Sequence, residues 1–456
     1  MRSTIRAILL LGMGLLALQL AAGTAKAQPA PAAPAVVPAT APTTIPAAAQ
    51  AVPLDPVAAT DAYLATLDPA KRASSDAYFE GGYWLTLWGF LYGLGVAGIL
   101  LGTGLSARMR DLSERITKWR WLQPFFYALQ YLLATTVLSF PLAVYADFFR
   151  EHKYGLSTQT FPVWMTEQLK GLGVGLVLGG LALMGLYAVL RHTPRTWWLW
   201  GALVSFLFLT VGVALAPIFI EPIFNKYTEL RDPTLRDPIL SLARANGIPA
   251  EHVYVVDASK QSNRISANVA GAFGTTRIAL NDNLLHRTSP AGVKAVMGHE
   301  MGHYVLNHVY KGLFYFGVVL VVGFALLRWG FDRAVARWGQ RWGVRGIADP
   351  AGLPLVVAIL SIYLFVLTPL NNTWIRTNEA EADIFGLNAA REPDGFAEVS
   401  LKLSEYRKLA PGPVEEWIFF DHPSGRNRIL MAMRWKAEQV GKGFLPEASS
   451  RPEGPQ

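Results

Sequence analysis

The chain has 456 residues, of which 52% are hydrophobic and only 16% charged, with a positive mean hydropathy; a soluble domain carries about 25% charge, so an ordinary soluble protein is excluded. The absence of Cys rules out disulfides and thiolate metal ligands and leaves His, Asp and Glu to hold any metal. A formal charge of +8, with no basic-aromatic surface motif, fits the Arg and Lys of cytoplasmic loops, and nucleic acid is not an expected partner.

The N-terminus reads as a secretory signal over residues 1–27. Arg2 and Arg6 precede an apolar run, and Ala25-Lys26-Ala27 offers small residues at a cleavage site. Residues 28–60 are mostly Ala, Pro, Thr and Val, with no aromatic residue before Tyr63 to seed a core, and predict a disordered spacer. Four apolar stretches follow within a membrane region spanning 61–219: Tyr83–Thr103, Phe125–Phe148, Leu172–Leu190 and Trp197–Phe219. Each is near the roughly 20 residues needed to cross the hydrocarbon as a helix. Two more, Val309–Leu327 and Leu353–Leu370, lie within 309–370. Arg108, Arg110, Arg115, Lys118 and Arg120 follow the first span, Arg191 and Arg195 the third, and Arg328, Arg333, Arg337, Arg341 and Arg345 the fifth. The positive-inside rule puts these loops in the cytoplasm, so 220–308 and the chain from Asn371 lie outside. A signal segment predicts the same orientation. The 14 Trp and 16 Tyr suit anchors at the bilayer interfaces.

Residues 220–308 alone have soluble-domain character. Pro233–Asn246 predicts an amphipathic helix and His252–Val256 a strand. Ser266–Ala270 and Arg277–Leu280 predict a hairpin around Gly271 and Gly274. Ser289–His308 predicts a helix capped by Ser289 with Pro290 at its first position. On it lie His299-Glu300-Met301-Gly302-His303. Histidines four apart share a face, so both imidazoles can reach one ion. Glu300 then stands beside the metal, placed to deprotonate a water on it, and Gly302 leaves room beside the ion. A hydrolytic zinc site needs three protein ligands and an open position. The third ligand must come from elsewhere in the chain. Segment 371–440 offers the acidic cluster Arg376-Thr377-Asn378-Glu379-Ala380-Glu381-Ala382-Asp383, where Glu379 or Glu381 could ligate and Asp383 could orient a ligand His. His422-Pro423 and Arg428 could donate to an oxyanion, or form an ordinary helix start. Residues 441–456 read as a loose tail.

From about Tyr154 to Arg428 the chain resembles the type I CAAX prenyl endopeptidases, multi-span zinc metallopeptidases. The resemblance rests on Gly155-Leu156-Ser157 with Gln159-Thr160, on the segment from Pro217 to Tyr227, and on His299 to His303. It rests further on Arg376-Thr377-Asn378-Glu379 with Ala382-Asp383, and on His422-Pro423 with Arg428. It implies that Glu379 is the third ligand to a single Zn2+, that Asp383 partners a zinc-bound His, and that His422 and Arg428 contact the substrate carbonyl. Asn268 would lie on a strand that pairs with a peptide substrate. The family also implies a ring of helices around an intramembrane chamber. It usually has seven spans, against six counted here after the signal, and its founding enzymes act on prenylated sequences at the cytosolic side.

The reading is a mainly α polytopic membrane protein, about six spans plus a signal segment, with a small α+β zinc peptidase domain. Its expected partners are the bilayer and peptide or protein substrates. It is expected in the bacterial inner membrane with its site on the periplasmic side, serving envelope protein processing or quality control. CAAX processing in the cytoplasm, and a non-enzymatic chaperone or transporter on the same scaffold, are the alternatives. An intramembrane protease is disfavoured because Ser289–Asn307 is too polar for a span.

Overall fold

The structure, a computed structural model, describes residues 54–270 and 276–444. The signal segment, most of the spacer, the hairpin turn around Gly271 and Gly274, and the tail from residue 445 lie outside the described residues. Helix α1, Pro56–Ala65, begins inside the segment read as spacer. Asp55 caps it and Pro56 starts it, while Ala59, Tyr63 and Leu64 pack on a cluster that includes Ile429 and Met433 near the C-terminus. An Ala-rich run becomes helical when its apolar face has a surface to cover, which composition alone does not reveal.

Five long apolar helices follow: α2 (Pro69–Gly102), α4 (Gln123–Lys153), α5 (Phe161–His192), α6 (Trp197–Phe224) and, after the peptidase elements, α10 (His308–Trp342). Short helix α3, Leu105–Ile116, lies between the first two. In place of the sixth expected span stands a bent pair of helices. Helix α11, Leu353–Val366, turns by 57° into α12, Thr368–Ala390, at a break just before Pro369. Single-turn π bulges at Tyr145–Phe149 and Ala216–Ile220 sit beside Pro141 and within reach of Pro217. A proline that withdraws a backbone donor is the usual cause of such a bulge.

The spans form a closed circuit. Helix α2 packs on α4, α4 on α5, α5 on α6, α6 on α10, α10 on α11, and α11 returns to α2. Between 17% and 28% of each apolar window is buried. A smaller contact between α10 and α2 crosses the circuit. One end is pinned by buried polar contacts. Arg110 pairs with Asp349 at 2.7 Å and donates to Gly343 O, and Ser106 bridges Tyr127 and Ala351 O. At the same end Arg345 reaches Glu114, Arg191 donates to Arg120 O, and Arg328 donates to Arg195 O. The three Arg-rich connections therefore meet on one side.

The peptidase elements collect at the other end. Strands β1 (Tyr227–Glu229), β2 (Val253–Val256), β3 (Ala267–Ala270) and β4 (Arg277–Asn281) make a sheet of order β1-β2-β4-β3. The expected hairpin pairs antiparallel with Asn268 opposite Ala279, and β2 runs parallel to β4. Strand β1 has only three residues, too few for a period to be read. Helices α7 (Pro233–Ala245), α8 (Asp282–Arg287) and α9 (Pro290–Val305) contribute to the core with the sheet. Helices α13 (Pro393–Leu403), α14 (Pro413–Phe419) and α15 (Gly425–Gly441) complete the chain.

Helices α9 and α12 pack backbone against backbone. A Cβ on Gly386 would stand 2.8 Å from the backbone nitrogen of His299. One on Gly298 would meet Gly386 O and Ala390 Cβ at 3.0 Å, and one on Gly302 would meet Ala382 Cα at 3.1 Å. Gly302 thus makes room for a helix backbone and not for an ion, as its place in the motif had suggested. Gly386→Val should cost about 1–3 kcal/mol through overpacking and lower the bound metal. Thermal unfolding and metal analysis of the detergent-purified protein check this, and unchanged values in both would refute it.

Candidate metal centre

Helix α9 starts as its sequence predicts. Ser289 accepts from the Gly292 amide at 3.0 Å and Pro290 occupies the first turn. It ends earlier than expected, at Val305, because Asn307 takes a left-handed conformation with φ 58°. Asn tolerates that region better than most residues. Helix α10 then leaves in a new direction.

His299 and His303 turn their Nε2 atoms toward each other at 3.1 Å. The close crossing of α12 brings Glu379 to them, with its carboxylate oxygens 3.3 Å from His299 Nε2 and 3.4 Å from His303 Nε2. Among the described residues these three form the one His/Asp/Glu group able to share a metal ion. The donor set fits one. His299 Nδ1 lies 2.7 Å from Asp383 Oδ1, which fixes its proton there and leaves the Nε2 lone pair facing inward. Glu379 is buried and its carboxylate is ringed by nitrogens of His299, His303 and His422. Burial pushes His303 down to about 3, while hydrogen bonds to Asp383 and Glu379 outweigh burial and raise His299 to about 10, so a cation bound here would replace a proton on His299. A four-coordinate ion with bonds of about 2.0–2.1 Å spaces its donors by about 3.3 Å.

Glu300 follows the first histidine. Burial pushes its carboxyl up to about 7; nearby Glu379 adds to the rise, and His299 opposes it. Asp383 is fully buried and is held by Arg428, whose Nε donates to Oδ2 at 2.9 Å while a second nitrogen bonds Oδ1. Arg428 also lies 3.4 Å from His299 Nδ1. Its guanidinium thus grips Asp383 beside the Nδ1 of His299. His422 does border the centre, with Nε2 3.1 Å from Glu379 Oε2 and Nδ1 2.8 Å from Asp421. Asn268 sits on edge strand β3, which packs against α9, with its Oδ1 buried and unpartnered among the described residues.

Three residues take parts that the sequence did not assign them. Arg376 donates to Glu416 O and Phe420 O, and so holds the segment that carries His422. Its place in the Arg-x-x-Glu pattern was the available signal. His308 abuts His303, with their Nδ1 atoms 2.9 Å apart. Glu381, one of two candidate ligands, points away from the centre to His308 Nε2 at 3.1 Å and Lys311 at 2.7 Å. Only the helix break at Asn307 makes the last two contacts, and a break is hard to read from spacing.

Comparison with known proteins agrees with this arrangement. Residues 229–436 match the family model of peptidase family M48, and residues 57–226 match the CAAX prenyl protease N-terminal region of five membrane helices. An uncharacterized metalloprotease of Bacillus subtilis, YhfN, is 29% identical over 336 residues, covering 73% of this chain and 79% of that protein. CAAX prenyl protease 1 of Saccharomyces cerevisiae is 35% identical over 178 residues, 38% of this chain and 39% of the yeast one. The crystal structure of S. mikatae Ste24p shares the fold, with a TM-score of 0.68 and 21% identity over 83% of this chain and 95% of that one. The chain is an integral-membrane metallopeptidase, one part of which matches peptidase family M48 and the other the membrane-helix region of the CAAX prenyl proteases.

Proposed function

We propose that the chain is a zinc endopeptidase of the bacterial inner membrane, with its site on the periplasmic side, acting in processing or quality control of envelope proteins. The observation that carries the chemistry is the convergence of His299 Nε2, His303 Nε2 and Glu379 at 3.1–3.4 Å. Nitrogen and oxygen donors at this spacing, with no thiolate in the chain, suit Zn2+. When bound, the ion acidifies water and polarises a peptide carbonyl.

The protein's own groups divide the remaining work. Glu300 is the general base, and a carboxyl raised toward 7 can take a proton and return it to the leaving amine near neutral pH. Asp383 orients His299, and Arg428 supplies the counter-charge that lets a carboxylate remain ionised in a fully buried position. His422 is the donor nearest the carbonyl. Edge strand β3, with Asn268, offers backbone groups to an extended peptide. The address rests on the Arg-rich connections that meet at the end of the circuit opposite the site.

Glu300→Gln should retain one zinc per chain and lower cleavage of a quenched peptide about 10²–10⁴-fold. Wild-type protein that holds zinc and cleaves no faster than this variant would refute the peptidase reading. Asp383→Asn should weaken zinc binding about 10–100-fold, measured by competition with a chelator, and undiminished affinity would remove Asp383 from the centre. An alkaline phosphatase fused after residue 444 should be active in a bacterial host. An inactive phosphatase together with a fluorescent cytoplasmic reporter would overturn the address and favour CAAX processing.

A further inference from the structure

The histidine that opens membrane helix α10 is used by none of the steps above. His308 is buried, only 3% exposed, and its Nδ1 lies 2.9 Å from Nδ1 of His303. Its Nε2 lies 3.1 Å from Glu381, whose carboxylate also takes a hydrogen bond from Lys311 at 2.7 Å. On an uninterrupted helix, residues five apart point about 140° away from each other, at about 100° per residue. The two rings meet only because the backbone turns through Asn307 at φ 58°. A buried imidazole pair at hydrogen-bond distance requires one donor and one acceptor. Glu381 accepts only, so His308 carries its proton on Nε2 and its Nδ1 is the acceptor. The proton between the rings therefore belongs to His303 Nδ1, which leaves His303 Nε2 as a lone pair aimed at Glu379 and His299.

We infer that His308, fixed by Glu381 and Lys311, is a positioning residue that sets the tautomer and ring angle of His303 for metal binding. This rests on His303 being a ligand. It makes the two histidines of the motif symmetric in function though not in chemistry. A buried carboxylate, Asp383, orients His299, and a neutral imidazole from a membrane helix orients His303. A neutral acceptor suits the second position, since another buried carboxylate there would add negative charge without a counter-charge like Arg428. The role of Glu381 follows: it is an outer support for a ligand, one step removed from the ion.

The test is zinc affinity of the full-length detergent-purified protein, stripped and titrated against a competing chelator. His308→Ala should weaken zinc binding about 10–100-fold, the range seen when outer partners of metal ligands are removed. His308→Asn, whose side-chain oxygen can accept from His303 Nδ1, should recover most of that loss. Glu381→Ala, at a half-exposed position that the fold tolerates, should give a smaller loss of about threefold to tenfold. Melting of the metal-free proteins should be unchanged, which separates positioning from unfolding. If His308→Ala melts early, the Glu381→Ala affinity decides alone. Equal affinity in wild type, His308→Ala and Glu381→Ala would overturn the inference, as would an Asn variant no better than Ala. Wild type that binds no zinc, or His299→Ala that binds it normally, would overturn the metal centre itself, a result distinct from either.

Discussion

The site exists because two helix backbones touch. Helices α9 and α12 cross at a contact made of Gly298, Gly302, Ala382, Gly386 and Ala390, with no room for a further carbon. That approach is closer than ordinary side chains allow, and it brings a carboxylate from one helix within 3.3 Å of an imidazole on the other. Small residues that let helices come together are a common device among membrane spans. Here the same device works just outside the membrane, where its product is a set of converging donor atoms. The position of Glu379 and Asp383 one turn apart then assigns them different neighbours, one facing both histidines and the other lying beneath the first.

Burying Asp383 would be costly alone, because an ionised carboxylate away from water needs a partner. Arg428 provides it from the start of α15, and α15 is packed by α13 and by the N-terminal α1. The metal centre is thus supported from both ends of the described chain. A change in α1, more than two hundred residues before the motif, reaches the centre through α15 and Arg428.

Much of this was legible from the residues. The spans announced themselves by length and hydropathy, since a helix that faces lipid must be apolar along its whole exposed side. The start of α9 was legible because Ser289 and Pro290 cap and open helices by local rules. The meeting of His299 and His303 followed from helical period. What was not legible depends on approach between distant segments. Spacing left Glu379 and Glu381 equivalent, and only the crossing of α12 separates them. Nothing in the spacing pairs Arg428 with Asp383, forty-five residues before it. The bend before Pro369 and the break at Asn307 redirect helices that each looked continuous on one side of the break.

The contact between α1 and α15 also has a meaning in counting. The first helix lies before any span and the last lies after all of them, yet they touch, with Asp61 on Arg426. Two segments on one face of a membrane are separated by an even number of passages. Five straight spans would leave them on opposite faces, and the bent pair α11–α12 counted as a sixth would bring them to one. The same parity puts the sheet and α9, which come after four passages, on that shared face. A single packing contact between the chain's ends thus fixes the sidedness of every connection between them, leaving only the absolute direction to be assigned by charge.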